Sequence, residues 1–88
     1  MVGELVRSLA GHDRGELFCV VGEEGEYLLL ADGRHRPQAA PKRKKRRHAQ
    51  SVGEFDHLTI QKLIRREPVT DNEIRRALAA FRAQSRRI

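Results

Sequence analysis

Three short apolar runs stand in the first third of the chain, each followed by glycine and polar residues. Leu5 and Val6 open the first, ahead of Gly11-His12-Asp13-Arg14-Gly15, where two glycines frame polar residues as a turn between strands requires. Leu17-Phe18-Cys19-Val20-Val21 is aromatic and β-branched, and the pattern predicts that it ends in a Gly22-Glu23-Glu24-Gly25 turn. Tyr27-Leu28-Leu29-Leu30-Ala31 then runs to Asp32-Gly33. Strands this short, with too few residues for two stacked sheets, predict a small barrel whose closure removes exposed edges. Farther along, Thr70-Asp71-Asn72-Glu73 is a capping box, with Val69 and Ile74 as its hydrophobic staple. Ile74, Ala77, Leu78 and Phe81 recur on one helix face while Arg75, Arg76, Arg82, Arg86 and Arg87 lie elsewhere. This helix is expected to end near Gln84 and to pack on the barrel. Between the two, Val52 to Asp56 reads as a loop, and Leu58, Ile60, Leu63 and Ile64 as one side of a short helix. The expected class is mainly β: a barrel with a basic extension over residues 1–50, a loop and short helix over 51–69, and a C-terminal helix over 70–88.

Composition limits what such a chain can do. A domain of 88 residues buries only roughly 60% of its unfolded surface, so an enclosed active site is hard to build. No nucleophile, base and orienting group stand at workable spacing, and Asp32, Asp56 and the histidines form no recognisable set, which argues against an enzyme. A lone Cys19 excludes an internal disulfide and reads as a core residue without a basic activator. One Cys and the scattered His12, His35, His48 and His57 make no zinc site, so neither metal nor cofactor is expected. No apolar run is longer than the five residues of Tyr27 to Ala31, far short of the roughly 20 residues that span a bilayer. The opening residues lack a signal peptide's basic start and continuous apolar stretch. A cytoplasmic protein with no membrane and no small-molecule substrate is expected.

Charge is placed rather than spread. Residues 1–33 set two basic side chains against seven acidic ones, residues 34–47 hold eight Lys or Arg and no acid, and the whole chain carries +6. A placed basic stripe suits a polyanion, since each neutralised phosphate releases condensed counterions. Pro37 and Pro41 bracket the entry to Lys42-Arg43-Lys44-Lys45-Arg46-Arg47, which makes an extended arm the expectation.

Set side by side, the glycines and flanking strands add a resemblance. Gly3-Glu4-Leu5-Val6-Arg7-Ser8-Leu9-Ala10-Gly11-His12-Asp13-Arg14-Gly15 resembles the opening strand and glycine-framed basic loop of the KOW motif, with Arg14 where Lys is usual. Leu17 to Val21 and Leu28 to Gly33 match its next strands, and Pro41 to Gln50 is similar to the basic extension of bacterial KOW-domain RNA-binding proteins. Those proteins are in turn similar to a KOW-containing large-subunit ribosomal protein of archaea and eukaryotes. The resemblance covers about residues 3 to 50, and more loosely Thr70 to Leu78, and implies an SH3-like barrel that binds RNA through the loop and neighbouring strands. Glu16 after Gly15 departs from the family pattern, and Asp13 with Glu16 weakens the loop's attraction for phosphate.

The candidate RNA contacts follow. Glycines at 11 and 15 let backbone amides approach a phosphate, or serve turn geometry alone. Arg14 projects from the turn; Arg7 on the adjoining strand is a contact or a solvated side chain; His12 can stack on a base or stay free. Arg34, Arg36, Lys42, Arg43, Lys44, Lys45, Arg46, Arg47 and His48 form the basic segment, and Arg36 with Lys42 to Arg47 is expected to dominate affinity. Exposed stacking aromatics are scarce, with Tyr27 and Phe55 the remaining candidates, so recognition of RNA shape and backbone is expected, as in ribosomal RNA. The other reading is a protein-interaction module, since SH3-like barrels also bind proteins and an acidic barrel can dock a basic partner.

Overall fold

The computed structural model describes residues 1–85; Arg86 and Arg87, counted above among the helix's off-face cations, lie outside the described residues. The first half is a five-stranded antiparallel sheet of β1 (Leu5–Ser8), β2 (Leu17–Glu24), β3 (Tyr27–Ala31), β4 (Lys42–Lys45) and β5 (Ala49–Ser51), in the spatial order β4-β3-β2-β1-β5. Helices α1 (Leu58–Ile64) and α2 (Asp71–Ser85) follow. Among the described residues, no helix is long and apolar enough to cross a membrane.

The apolar runs are continuous because both faces of the central strands are buried. Successive strand residues point to opposite faces. Leu5, Leu17, Cys19 and Ala31 meet Ile60, Leu63, Ile74 and Leu78 of the helices, while Val6, Phe18, Val20, Leu28 and Leu30 form a second cluster with no helical member. The sheet covers that second cluster by curling. A register shift between Val20 and Gly22 puts an extra residue, Val21, into β2, and such a bulge bends and twists its strand. A 3-10 turn, Arg46–His48, then carries the chain from β4 at one edge into β5 at the other. Its ends are stitched by Arg46 N–H donating to Glu26 O at 2.9 Å and Leu9 N–H donating to His48 O at 2.8 Å.

The expected closed barrel is therefore corrected to an open, curled sheet: β4 and β5 are its edges and share no ladder. Residues 46–48 link the two edges through the chain alone, with their backbone bonded to Glu26 and Leu9 and not to a β4–β5 ladder. The turn expected at Gly22 to Gly25 is also corrected, since β2 pairs on through Glu24↔Tyr27 and only Gly25 and Glu26 make the hairpin loop. Edge strand β4 and most of β5 lie where the basic extension was expected, and lysines such as those of β4 are a common way to keep an edge from pairing with other chains.

In α1 the buried residues are Thr59, Ile60 and Leu63, whereas Leu58 is 70% and Ile64 60% exposed. At 100° per residue Leu58 lies opposite Ile60 and Leu63, so the four apolar residues cannot share one face. The α2 N-terminus matches its capping box: Glu73 N–H donates to Thr70 Oγ1 at 3.1 Å and Thr70 N–H to Glu73 Oε1 at 3.0 Å. Val69 packs against the core cluster that holds Ile74. The same glutamate anchors α1, because Lys62 Nζ donates to Glu73 Oε2 at 2.7 Å and Thr59 Oγ1 to Glu73 O at 3.2 Å.

The segment after β3 docks on the start of α2. Gln38 N–H donates to Asp71 Oδ1 at 2.8 Å, Gln38 Nε2 donates to Val69 O, and the Arg75 guanidinium donates to Gly33 O. Gly33 has φ +78° and a Cβ there would stand 2.3 Å from Asp71 O, so both conformation and space demand glycine.

Candidate nucleic-acid interface

The basic run is folded into the molecule. In β4, Lys42, Arg43, Lys44 and Lys45 pair with Leu30, Leu29, Leu28 and Tyr27. Acids from the negatively charged first third meet them: Lys42 Nζ lies 3.3 Å from Asp13 Oδ2, Arg43 Nε 3.2 Å from Glu24, and Arg46 Nη2 2.5 Å from Glu23. Lys44 is 7% exposed and donates to Ala10 O at 2.7 Å and Asp13 Oδ1 at 2.8 Å. The run is extended over Lys42–Lys45 as expected, but as an edge strand of the sheet and not as a free arm. The nearest polyanion to the run is the acidic part of the same chain, and an edge strand brings them together. Lys45 and Arg47, by contrast, make no ion pair among the described residues, although they sit by the Gly25–Glu26 turn, roughly 10 Å along β4 from Lys42 at about 3.3 Å per residue.

Lys44 organises the glycine loop. Asp13 receives Lys44, Lys42 and the Ser8 hydroxyl, the last at 2.8 Å. Burial pushes the Asp13 carboxyl up, yet hydrogen bonds from Lys44 and Ser8, with the Lys42 ammonium beside it, outweigh it and leave a pKa lowered to about 2. Asp13 therefore does not repel phosphate at the loop tip as expected; its charge is spent inward, and Glu16 is the acid left exposed there. On the other side Arg7 Nη1 donates to Gly15 O at 2.8 Å. Of the loop amides, Arg14, Gly15 and Glu16 donate to Gly11, Ser8 and Asp13 carbonyls. Gly15, with φ +88°, serves turn geometry and has no amide to offer, whereas the amides of Gly11, His12 and Asp13 have no partner among the described residues.

The strand register sets this loop beside the segment after β3, because Leu17 opens β2 and Ala31 closes β3 at one end of the sheet. Asp32 Oδ1 accepts from Arg34 N–H at 2.9 Å and Arg36 N–H at 2.8 Å, which folds the second loop into a tight turn. A cleft of about 330 Å³ lies between them, lined by His12, Glu16, His35, Arg36 and Lys42. Arg7, Arg14, Arg34 and Arg36 are all exposed and make no ion pair among the described residues. His48 sits apart in the 3-10 turn, beside Leu9.

Free stacking surfaces are scarce here. Arg43 lies over the Tyr27 ring at 4.2 Å, and Phe55 packs edge-on against Phe81 at 5.4 Å and stacks on His57. Cys19 is fully buried, and burial pushes its thiol up to about 12.

Sequence reasoning missed one group of cations. Arg75, Arg76 and Arg82 on α2 face Arg34 and His35 across a second cleft of about 410 Å³, which shares Glu16, Asp32 and His35 with the first. The spacing of Arg75 and Arg82, two helical turns apart, was visible; their meeting with Arg34 depends on the docking of Gly33. No protein-family model matches this chain, and no curated protein matches it either.

Proposed function

We propose that this protein is a non-enzymatic RNA-binding protein acting on or near the ribosome, in the manner of the KOW proteins it resembles. One observation carries the reading: the cations that escape internal pairing include Arg7, Arg14, Arg34 and Arg36, and these gather around two preorganised loops at one end of the sheet. Planar guanidinium forks there suit phosphate, which they bind bidentately. The curled sheet, its glycine loop and the turn linking its edges support an SH3-like KOW assignment. With Tyr27 and Phe55 occupied, contacts to backbone and shape carry recognition, and a structured RNA such as ribosomal RNA is the partner class.

Binding of a stem-loop RNA at several salt concentrations tests this. Arg14→Ala is expected to cost about 1 to 3 kcal/mol on the stem-loop, as loss of one good bidentate arginine contact does, and much less on an unstructured homopolymer. Equal weakening on both would leave a nonspecific polyanion binder. The protein-interaction reading has its own support in an apolar cleft of about 510 Å³ lined by Leu5, Phe55, Ile60 and Ile64 and rimmed by Glu4, Glu54 and Asp56. Co-migration with ribosomes that survives ribonuclease would favour it.

A further inference from the structure

We infer that the cleft between α2 and the Asp32 to Arg36 loop is a second phosphate site, so that a folded RNA lays two backbone segments on this protein; the inference rests on the RNA-binding reading. Four guanidiniums from two elements converge there: Arg34 from the loop, and Arg75, Arg76 and Arg82 from α2. Among the described residues none of the four has an ion-pair partner. The walls are built rather than loose. Arg75 is held by Gly33 O and by Asn72 Oδ1 at 3.3 Å, and the backbone of Arg34 is held by Asp32. Cations fixed before binding lose little freedom when a phosphate arrives.

The acids locate the division between the two sites. Glu16 and Asp32 line both clefts, with His35 beside them, so a negatively charged ridge separates Arg36 and Lys42 on one side from the α2 arginines on the other. A phosphate on that ridge would meet two carboxylates. One flexible strand can therefore follow one track with ease, while a stem or stem-loop presents two backbones that straddle the ridge. Phosphodiester oxygens are the ligand in both tracks.

The test is Arg76→Gln/Arg82→Gln. Both side chains are exposed, and glutamine keeps helix propensity close to arginine's, so the fold is retained and thermal melting checks it. On a stem-loop RNA the double variant is expected to lower the slope of log affinity against log salt by about 1.5, two contacts' worth. It should also weaken binding roughly tenfold or more. The loss on a single-stranded homopolymer should be several-fold smaller. An unchanged slope while Arg14→Ala still weakens binding would overturn the second site and leave the RNA reading standing. Equal loss on the homopolymer, or an equal loss from the charge-matched Arg65→Gln/Arg66→Gln, would overturn it as well. Should the unmodified protein bind no RNA, the RNA reading falls alone and inorganic pyrophosphate decides the site: NMR shifts of the Arg76 and Arg82 side-chain Nε–Hε signals would support an anion site, and their absence would overturn it.

Discussion

Replacing Lys44 by Met tests whether the most basic part of this chain is structural. The side chain is 7% exposed and its ammonium binds Ala10 O and Asp13 Oδ1. Methionine keeps the length and apolar stem but removes the charge. Stripping one partner from a fully buried ion pair costs about 3 to 5 kcal/mol, because the other charge is left uncompensated. Here Asp13 is 12% exposed, Lys42 still stands 3.3 Å from Oδ2 and Ser8 still donates, so the cost falls below that range, to about 2 kcal/mol. Ala10 O also loses its ammonium donor, which adds about 1 kcal/mol. We predict a loss of about 3 kcal/mol, or roughly 12 to 24 °C in melting temperature for a domain of this size. Urea unfolding of Lys44→Met, Asp13→Asn and the double variant should give a coupling energy of about 1 kcal/mol or more between the two positions. Lys45→Met, one residue along and without an ion pair, should stay within about 0.5 kcal/mol of the parent. If Lys44→Met costs no more than Lys45→Met, the ion pair to Asp13 contributes nothing and the run is a solvent-facing arm after all.

Asp13 also sets an acid limit: its folded pKa of about 2 lies below the ordinary 3.8. The stability it contributes is therefore full above the unfolded value and is lost as pH falls from about 4 to about 2, amounting to about 2 kcal/mol; urea midpoints across that range should show it, and Asp13→Asn should flatten the decline. Thr70→Ala should cost about 1 kcal/mol by removing the cap on Glu73, and an unchanged melting temperature would mean that α2's first turn does not need it. Gly33→Ala should cost about 2 kcal/mol or more, since strain at positive φ adds to the collision with Asp71 O, whereas Gly15→Ala, with open space around its Cβ, should cost about 1 kcal/mol. Similar losses at the two glycines, measured by urea unfolding, would argue against a tight seat for the Gly33 loop.

Local patterns along the chain were enough for the elements whose causes are local. The Thr70 to Glu73 box placed the start of α2 because both hydrogen bonds join residues three apart. The runs at Leu17 and Tyr27 and the glycines at 11 and 15 placed the strands β2 and β3 and the first loop for the same reason. Net charge by segment was legible too, but its destination was not. Lys44 and Asp13 are 31 residues apart, and a cation beside a carboxylate reads in sequence the same as a cation awaiting phosphate. Strand pairing decides between them by setting β4 along β3 and turning Lys44 toward the loop. The continuous apolar runs likewise showed that strands would be buried without showing whether the sheet would close, a matter settled by the bulge after Val20 and the 3-10 turn at Arg46–His48. The meeting of Arg34 with the α2 arginines depends on Gly33 seating against Asp71, 38 positions later. Contacts between neighbours in sequence are written in residue type and spacing, whereas contacts between distant segments exist only once the chain has folded and its charges have chosen partners within reach.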